Sequence, residues 1–446
     1  MSRYETYKPS GIDWIGKVPT DWKTLRIKNV ASIVNGSTPS SSVEEYWDGD
    51  IIWVTPGDFN KFDKIIDDSE SKITEAGYKS CGTSMVPVGS VVITTRAPIG
   101  NVLIAGKELC TNQGCKTLVP NRVESRFLYY IISISSIELN ILGQGTTFLE
   151  LSKESLGTFK LPLPKYDEQL TIANYLDDQT QKIDRLIANK KAQAEKLKEL
   201  RQIEINYAVT KGLNPNAEMK DSGIEWLGKI PKHWTTKRMK DVASVRGRIG
   251  FRGYTVDDIV DEGALVIGAK HINSSNQLNF DDPEYISWEK YYESPEIMVE
   301  VGDVLIVQRG SVGKFALVEK EIGPATINPS MILLRLNTRI HPQFLFWYLL
   351  GEHMFNIIKT IVSSTAVPMI SQMQAGVFRI ILPPKKEQIE IANYLMERTA
   401  AIDQLIKNIE AQIEKLQEVR KIKIYEAVTG KICLNQDFQD ARINRI

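Results

Sequence analysis

The centres of both halves of the chain carry short apolar runs of the kind that form β-strands. Runs rich in β-branched residues occur at 51–54, 91–95 and 304–307, and Gly-, Pro- and Asn-rich turns separate them. This pattern predicts strands rather than long helices. A few short helical stretches accompany them, so we predict α+β domains over residues 33–158 and 245–377.

Two other stretches carry apolar residues at seven-residue spacing with almost no glycine or proline. The positions are Leu176, Ile183, Ile187, Ala194 and Leu197 in the first stretch, and Leu395, Ile402, Ile406, Ile409, Ile413 and Leu416 in the second. Such spacing is typical of the a and d positions of a coiled coil, with Lys190 as one polar interruption. At about 1.5 Å per residue, each helix would be roughly 60 Å long.

The chain contains an internal repeat. Residues 10–32 match residues 222–244 with 14 identities in 23 positions, and residues 159–210 match 378–429 with 28 identities in 52. The segments between these matches resemble each other only faintly, and the second is longer. We therefore expect one domain over 1–158, a long helix over 159–213, a second domain over 214–377, a second long helix over 378–432 and a tail over 433–446.

Composition narrows the class of protein. Lys plus Arg and Asp plus Glu both number 55 in 446 residues, so any nucleic-acid-binding surface must be local. The longest apolar run, 344–350, is far shorter than the roughly 20 residues of a membrane helix. The four cysteines form no CxxC pair, which argues against a zinc site or a disulfide framework. We expect a cytoplasmic protein.

The motifs of common catalytic sites are incomplete in this chain. The stretch GSVGKF at 310–315 has Phe315 where a phosphate-binding loop needs Ser or Thr for magnesium. Asn328-Pro329-Ser330 lacks the second proline and the aromatic residue of an amino-methyltransferase motif. The four histidines are isolated from each other and from the cysteines. We predict no catalytic residue and no metal site.

The repeated segments resemble a known family. The sequence GIDWIGKVPTDWKTLRIKNV, its second copy from Gly223, the twin EQ…IANYL…ID helices and the endings AVTKGL and AVTGKI are similar to the specificity subunits of type I restriction-modification enzymes. The resemblance covers essentially the whole chain, and it depends on the combination of these motifs rather than on any one of them.

The resemblance implies a fold and a set of partners. It implies two target recognition domains, joined by two long antiparallel helices, that each recognise one half of a split site in double-stranded DNA. Two methyltransferase (modification) subunits would bind the helices, and restriction (translocase/nuclease) subunits would join them. S-adenosylmethionine, ATP and Mg would bind these partner subunits, and this chain would bind no cofactor itself.

Comparison of the two halves suggests which residues contact DNA. Residues shared by both halves suit phosphate contacts or a scaffold role, and residues that differ at matched positions suit base recognition. The candidates are Thr94, Thr95, Arg96, Asn112, Gln113, Gln144, Thr146, Thr147, Arg246, Arg248, Arg252, Lys270, Gln308, Arg309, Ser311, Ser364 and Thr365. Structural alternatives stay open: a salt bridge for the paired Arg96 and Arg309, a capped turn for Asn112-Gln113, and a solvated face for the basic residues near 246–270.

The charged outer face of the first helix, with Lys191, Lys198 and Arg201, is the predicted partner-binding surface. The duplicated tryptophans Trp14, Trp22, Trp226 and Trp234 are predicted to pack in the core because they are identical in both halves, and stacking on bases is the alternative. Two other function classes remain at this stage. One is a stand-alone nuclease or methyltransferase, and the other is a coiled-coil protein-binding scaffold without sequence-specific DNA recognition. The divergence of the two domains argues against the scaffold.

Overall fold

The computed structural model describes residues 3–143, 150–224, 227–248, 253–363 and 369–434. The chain forms two compact units, one of residues 1–190 with 411–446 and the other of residues 191–410. Each unit contains one α+β domain and a segment from each of two long helices. The unit boundaries therefore cut both helices in the middle.

The first unit contains two sheets of three or more strands and several short helices. The strands are β1 Tyr7–Pro9, β2 Lys17–Pro19, β3 Lys23–Arg26, β4 Ala31–Asn35, β5 Trp47–Val54, β6 Ile65–Ile66, β7 Lys72–Ile73, β8 Val91–Thr94, β9 Val102–Ala105, β10 Cys110–Thr111, β11 Cys115–Pro120 and β12 Lys160–Leu163. The helices are α1 Glu75–Ser80, α2 Ser125–Ser133, α3 Ser136–Leu142, α4 Lys153–Thr158 and the long α5 Tyr166–Lys211. The larger sheet has the order β4-β11-β8-β9-β6, and a second has the order β10-β5-β7.

The second unit repeats this plan with differences. Its strands are β13 Met219–Asp221, β14 Lys229–Pro231, β15 Thr235–Arg238, β16 Ala243–Arg246, β17 Ile259–Val260, β18 Ala264–Ile267, β19 Tyr285–Ile286, β20 Val304–Val307, β21 Phe315–Leu317, β22 Ala325–Ile327, β23 Met331–Leu336 and β24 Arg379–Leu382. Its helices are α6 Trp288–Tyr292, α7 Pro342–Leu349, α8 Glu352–Ser363, α9 Gln372–Val377 and the long α10 Lys385–Val428. Two four-stranded sheets have the orders β16-β23-β20-β21 and β17-β19-β18-β22.

The central strands are buried on both faces. All four residues of β8 and all four of β20 are buried, so neither strand alternates buried with exposed positions, and Thr94 is the one polar residue among the eight. In the second unit, Val304 and Ile306 pack against the α7 side of the sheet, whereas Leu305 and Val307 belong to a separate cluster on the other face. Both faces of this sheet therefore carry a hydrophobic core.

The two long helices run antiparallel in each unit. In the first unit the start of α5 and the end of α10 share one core, and Arg420 pairs with Asp184 at 2.9 Å. In the second unit the end of α5 packs with the start of α10, and Glu204 pairs with Arg398 at 3.1 Å. The helix bounds lie inside the predicted ranges 159–213 and 378–432, and the short strands β12 and β24 occupy the positions before each helix.

The duplicated tryptophans join the helices to the domains. Trp22 is 1% exposed and donates its indole hydrogen to Glu168 at 3.2 Å, and Trp234 is fully buried and donates to Glu387 at 3.0 Å. The opposite long helix ends at a glycine in the left-handed region, Gly430 at φ +70° or Gly212 at φ +75°, and a Cβ added there would lie 3.3 Å from Trp22 or 3.1 Å from Trp234 respectively. Trp22 and Trp234 therefore pack in the core as predicted, whereas Trp14 is only partly buried against the first core and Trp226 lies outside the described residues.

Candidate nucleic-acid interface

The end of β8 in the first unit carries three of the predicted DNA-contacting residues. Thr94 and Thr95 are fully buried. The Thr94 hydroxyl donates to the Pro98 carbonyl at 2.6 Å, and the Thr95 hydroxyl donates to the Gly114 carbonyl at 3.2 Å. Both side chains therefore stabilise the turns that follow the strand, and neither is presented to a base edge. They serve the scaffold because polar groups this deep must be hydrogen-bonded.

Arg96 follows these threonines and is exposed. Its Nε lies 3.1 Å from a carboxylate oxygen of Glu150, and the backbones of the two residues form an isolated β-bridge. The second oxygen of Glu150 lies 3.8 Å from the amine of Lys116, whose side chain is only 8% exposed. Burial lowers the pKa of Lys116, and the charge of Glu150 opposes that shift. The structural alternative for Arg96, a salt bridge, is therefore present.

The end of β20 carries the matched residues of the second unit. Gln308 is 8% exposed and donates its amide hydrogen to the Pro329 carbonyl at 2.7 Å, so its side chain is turned inward. Arg309 and Ser311 are exposed. Arg309 forms the bridge equivalent to that of Arg96, but its partner is Met369, whose sulfur lies 3.2 Å from the guanidinium Nε. A carboxylate in the first unit is thus replaced by a thioether.

The Asn112-Gln113 pair lies in a turn that both units share. The Asn112 side chain accepts a hydrogen bond from the Gly114 amide at 2.9 Å, and in the second unit Asn328 accepts from the Ser330 amide at 2.9 Å. Asn112 therefore caps a turn, which is the structural alternative for this residue. Gln113 is exposed and accepts a hydrogen bond from the Thr38 hydroxyl.

The predicted basic residues of the second unit have different environments. Arg246, the last residue of β16, is exposed. Arg248 is 6% exposed, donates to the Ile327 carbonyl at 3.2 Å and lies over the Tyr254 ring, so it is an interior residue rather than a phosphate ligand. Lys270 is half-exposed and pairs with Asp282 at 2.9 Å. The sequence did not indicate these last two environments, because Ile327 lies 79 residues from Arg248 and Asp282 lies 12 residues from Lys270.

The remaining DNA candidates, Gln144, Thr146, Thr147, Arg252, Ser364 and Thr365, lie outside the described residues.

The three predicted partner-binding residues on α5 are not equivalent. Lys191 is exposed, and Lys198 is exposed with an ion pair to Glu195 at 2.8 Å. Arg201 is only 26% exposed at its side chain, pairs with Asp403 of α10 at 2.9 Å and lies over the Trp347 ring. Arg201 therefore holds the two helices and the domain of its own unit together.

The sequence analysis missed a set of exposed apolar residues on the helices. They occupy equivalent positions of the two repeats and have similar exposure: Leu186 and Leu405 at 50% and 51%, Leu200 and Val419 at 37% and 41%, and Ile203 and Ile422 at 62% and 46%. In each unit such residues come from both long helices. Alignment of the two helix repeats would have shown that apolar residues occupy these equivalent positions, but it would not have shown that their side chains are exposed.

No cluster of His, Cys, Asp and Glu with the geometry of a metal site occurs among the described residues. Within that part of the chain, no helix combines the length and apolarity needed to cross a bilayer.

Each unit combines one α+β domain with an antiparallel pair of helix segments, so the chain contains the same architecture twice. The family model described as type I restriction modification DNA specificity domain matches twice, at residues 19–196 and 231–415. The chain therefore belongs to the family of DNA sequence-specificity subunits of type I restriction-modification systems.

Individual relatives agree with this assignment. The MjaIX specificity subunit of Methanocaldococcus jannaschii is 30% identical over 434 residues, covering 94% of this chain and 95% of the relative. The EcoDI specificity subunit of Escherichia coli is 19% identical over 441 residues, covering 94% and 90%. A solved chain of a type I R-M system superposes with a TM-score of 0.71 at 16% identity, covering 93% and 99%. This last comparison supports the fold, and it confirms the predicted architecture of two α+β domains with long antiparallel helices.

Proposed function

We propose that each α+β domain recognises one half of a bipartite, asymmetric DNA site and that the helices fix the spacer between the halves. The observation that supports this proposal is that the two units share their buried scaffold but differ in the residues beside the ends of β8 and β20. The two units bury equivalent tryptophans and cap equivalent turns, yet Glu150 in one unit corresponds to Met369 in the other. One scaffold presenting two different surfaces suits two different half-sites.

The helices are the proposed binding surface for two methyltransferase subunits. Exposed apolar residues at matched positions of both repeats are the feature expected of a surface buried in a complex. Because the same positions recur in each unit, the surface suits two copies of one partner rather than two different partners. We place the main contacts at Leu200, Ile203 and their counterparts Val419 and Ile422, with Lys191 and Lys198 at the periphery.

The chemistry belongs to the partner subunits in this proposal. S-adenosylmethionine would bind the methyltransferase subunits, and ATP and Mg would bind the restriction subunits. This chain would supply sequence recognition without a catalytic step, in the cytoplasm where the genome is accessible.

The recognition proposal is tested by mapping adenine methylation. The chain is co-expressed with its methyltransferase partner in a host that lacks other adenine methylation, and the genome is sequenced by a method that detects methyladenine. We expect one motif of two unlike half-sites with a constant gap. An assembled complex that methylates nothing, or methylates without sequence preference, would contradict the proposal and favour a protein-binding scaffold.

The subunit-binding proposal is tested by stoichiometry. Native mass spectrometry of the complex should show two methyltransferase copies with the natural chain and one copy with either I203D or I422D. K198A serves as a matched surface control and should retain both copies. Two copies with I203D and I422D combined, or loss of a copy with K198A, would place the surface elsewhere.

A further inference from the structure

The register of the sheet in the second unit places Arg246 and Arg309 on one face, two strands apart, with Arg309 four residues further along. Arg246 pairs with Leu333, and Leu333 also pairs with Leu305. Directly paired residues share a face, and residues two apart on a strand share it as well. Arg246 is therefore on the face that carries Leu305 and Val307. Arg309 follows Val307 by two residues and continues the same row beyond the strand end.

Neither arginine has a carboxylate partner within the described ranges. Both are exposed, and the side-chain contact of Arg309 is the sulfur of Met369 at 3.2 Å. The stretches 249–252 and 364–368, which lie outside the described residues, contain no Asp or Glu. Each of these guanidinium groups, which have no carboxylate partner among the described residues, can bind a phosphate oxygen because it presents several N–H donors.

The first unit lacks this arrangement at the matched positions. Val34 occupies the position of Arg246 and packs against a hydrophobic cluster. Arg96 occupies the position of Arg309, but Glu150 holds it at 3.1 Å. Glu150 also lies 3.8 Å from the buried amine of Lys116, so the carboxylate sits between two cations. A phosphate approaching Arg96 would have to displace Glu150 and would meet its negative charge.

We propose that Arg246 and Arg309 form a DNA-phosphate-binding site that only the second recognition domain possesses, and that Glu150 withholds Arg96 from the equivalent contact. The inference rests on the proposed DNA-recognition function and deepens it. The two domains then differ in the physical basis of binding as well as in the bases recognised. The second domain anchors the chain electrostatically, and the first depends on uncharged contacts at this position.

The test is the salt dependence of DNA affinity. The full chain, assembled with its methyltransferase partner, is titrated onto a short fluorescent duplex carrying the mapped motif and onto a scrambled duplex, at several salt concentrations. The slope of log affinity against log salt is negative, and each lost phosphate contact lowers its magnitude by about 0.9. We expect R246V, R309A and M369E each to lower the magnitude of the slope by about one. R96A should leave it unchanged, and E150M should raise it by about one.

The possible results distinguish failure of the phosphate-site inference from failure of the proposed DNA-recognition function. Thermal unfolding of each complex shows that the variants are folded, and R309A and M369E remove the same contact by different means. A natural complex that does not prefer the motif duplex would refute the proposed function. The phosphate-site inference would be overturned by either of two results from a complex that does prefer the motif duplex. In one, R96A lowers the magnitude of the salt slope as much as R309A does; in the other, R246V and R309A both leave the slope unchanged.

Discussion

Asp177 of α5 is the centre of a charged network that attaches the first domain to the helices. One carboxylate oxygen accepts from the Tyr130 hydroxyl at 2.6 Å and from the Lys64 amine, and the other accepts from Arg126 at 2.8 Å. Tyr130 is fully buried, and Arg126 also pairs with Glu124 at 2.9 Å. The perturbation we consider is D177N, which keeps the shape of the side chain and removes its charge.

The hydrogen bonds of Asp177 determine how much stability D177N should lose. A hydrogen bond to a charged group contributes about 1.5–3 kcal/mol, and Asp177 accepts three. The Asp177 side chain is 32% exposed, so solvent screening reduces this sum. An asparagine still accepts through one oxygen, but its amide group must face Lys64 or Arg126. We expect D177N to lower the free energy of unfolding of the first unit by about 2 kcal/mol.

The effect must depend on pH in a defined direction. Burial would raise the pKa of Asp177, but the hydrogen bonds and charges of Lys64, Tyr130 and Arg126 outweigh it and hold the pKa below its usual value. A carboxylate with a lowered pKa contributes stability that is present above its unfolded pKa and is lost as pH falls through the folded pKa. The difference between natural protein and D177N should therefore be full at neutral pH and should shrink in acid.

The assay combines hydrogen exchange with chemical denaturation. Exchange of the amides of α2 and of the first turns of α5 should accelerate in D177N at neutral pH, and the denaturation midpoint should fall. D178N is the matched control, because Asp178 is adjacent and forms an exposed i,i+4 pair with Lys182. It should cost about 0.5 kcal/mol or less. Equal effects of D177N and D178N, or a D177N effect that grows in acid, would refute the reasoning.

Three further substitutions probe the second unit. W234A removes a fully buried indole and should lower the free energy of unfolding, measured with denaturant, by about 3–5 kcal/mol. W288A, at a residue 46% exposed, should lower it little, and equal losses would contradict the burial of Trp234 in the core. G212A forces a side chain into φ +75° with its Cβ 3.1 Å from Trp234, so its melting temperature should fall further than that of G223A, which has φ +68° and open space. R248M removes the Arg248 group that donates to the Thr326 hydroxyl at 3.0 Å and should lower the free energy of unfolding by about 1–3 kcal/mol. The salt dependence of DNA binding should stay the same, and a change in it would show that Arg248 contacts DNA.

The sequence predicts the repeat, the long helices and the α+β class because each leaves a local pattern. Heptad spacing is visible within one segment, and identical motifs such as the two tryptophan segments are visible by self-comparison. The identity of Trp22 and Trp234 in both halves favours a scaffold role, because a residue that both halves share cannot distinguish two different half-sites.

The interface residues are harder to predict because their environments depend on distant contacts. Arg96 meets Glu150 across 54 positions of the sequence, and Arg248 meets Ile327 across 79. Neither distance leaves a periodic signal. Alignment of residue 150 with residue 369 would have shown that Glu in the first half is replaced by Met in the second. Only the isolated β-bridges show that these two residues lie beside the matched arginines Arg96 and Arg309.

The central claim is that the two domains recognise two independent half-sites. Its most direct measurement replaces residues 33–158 with the matching segment of a relative of different specificity and maps adenine methylation with the same methyltransferase partner. We expect a motif in which one half-site changes while the other half-site and the gap stay the same. A change in both half-sites, or an unchanged motif from an assembled and active complex, would contradict it.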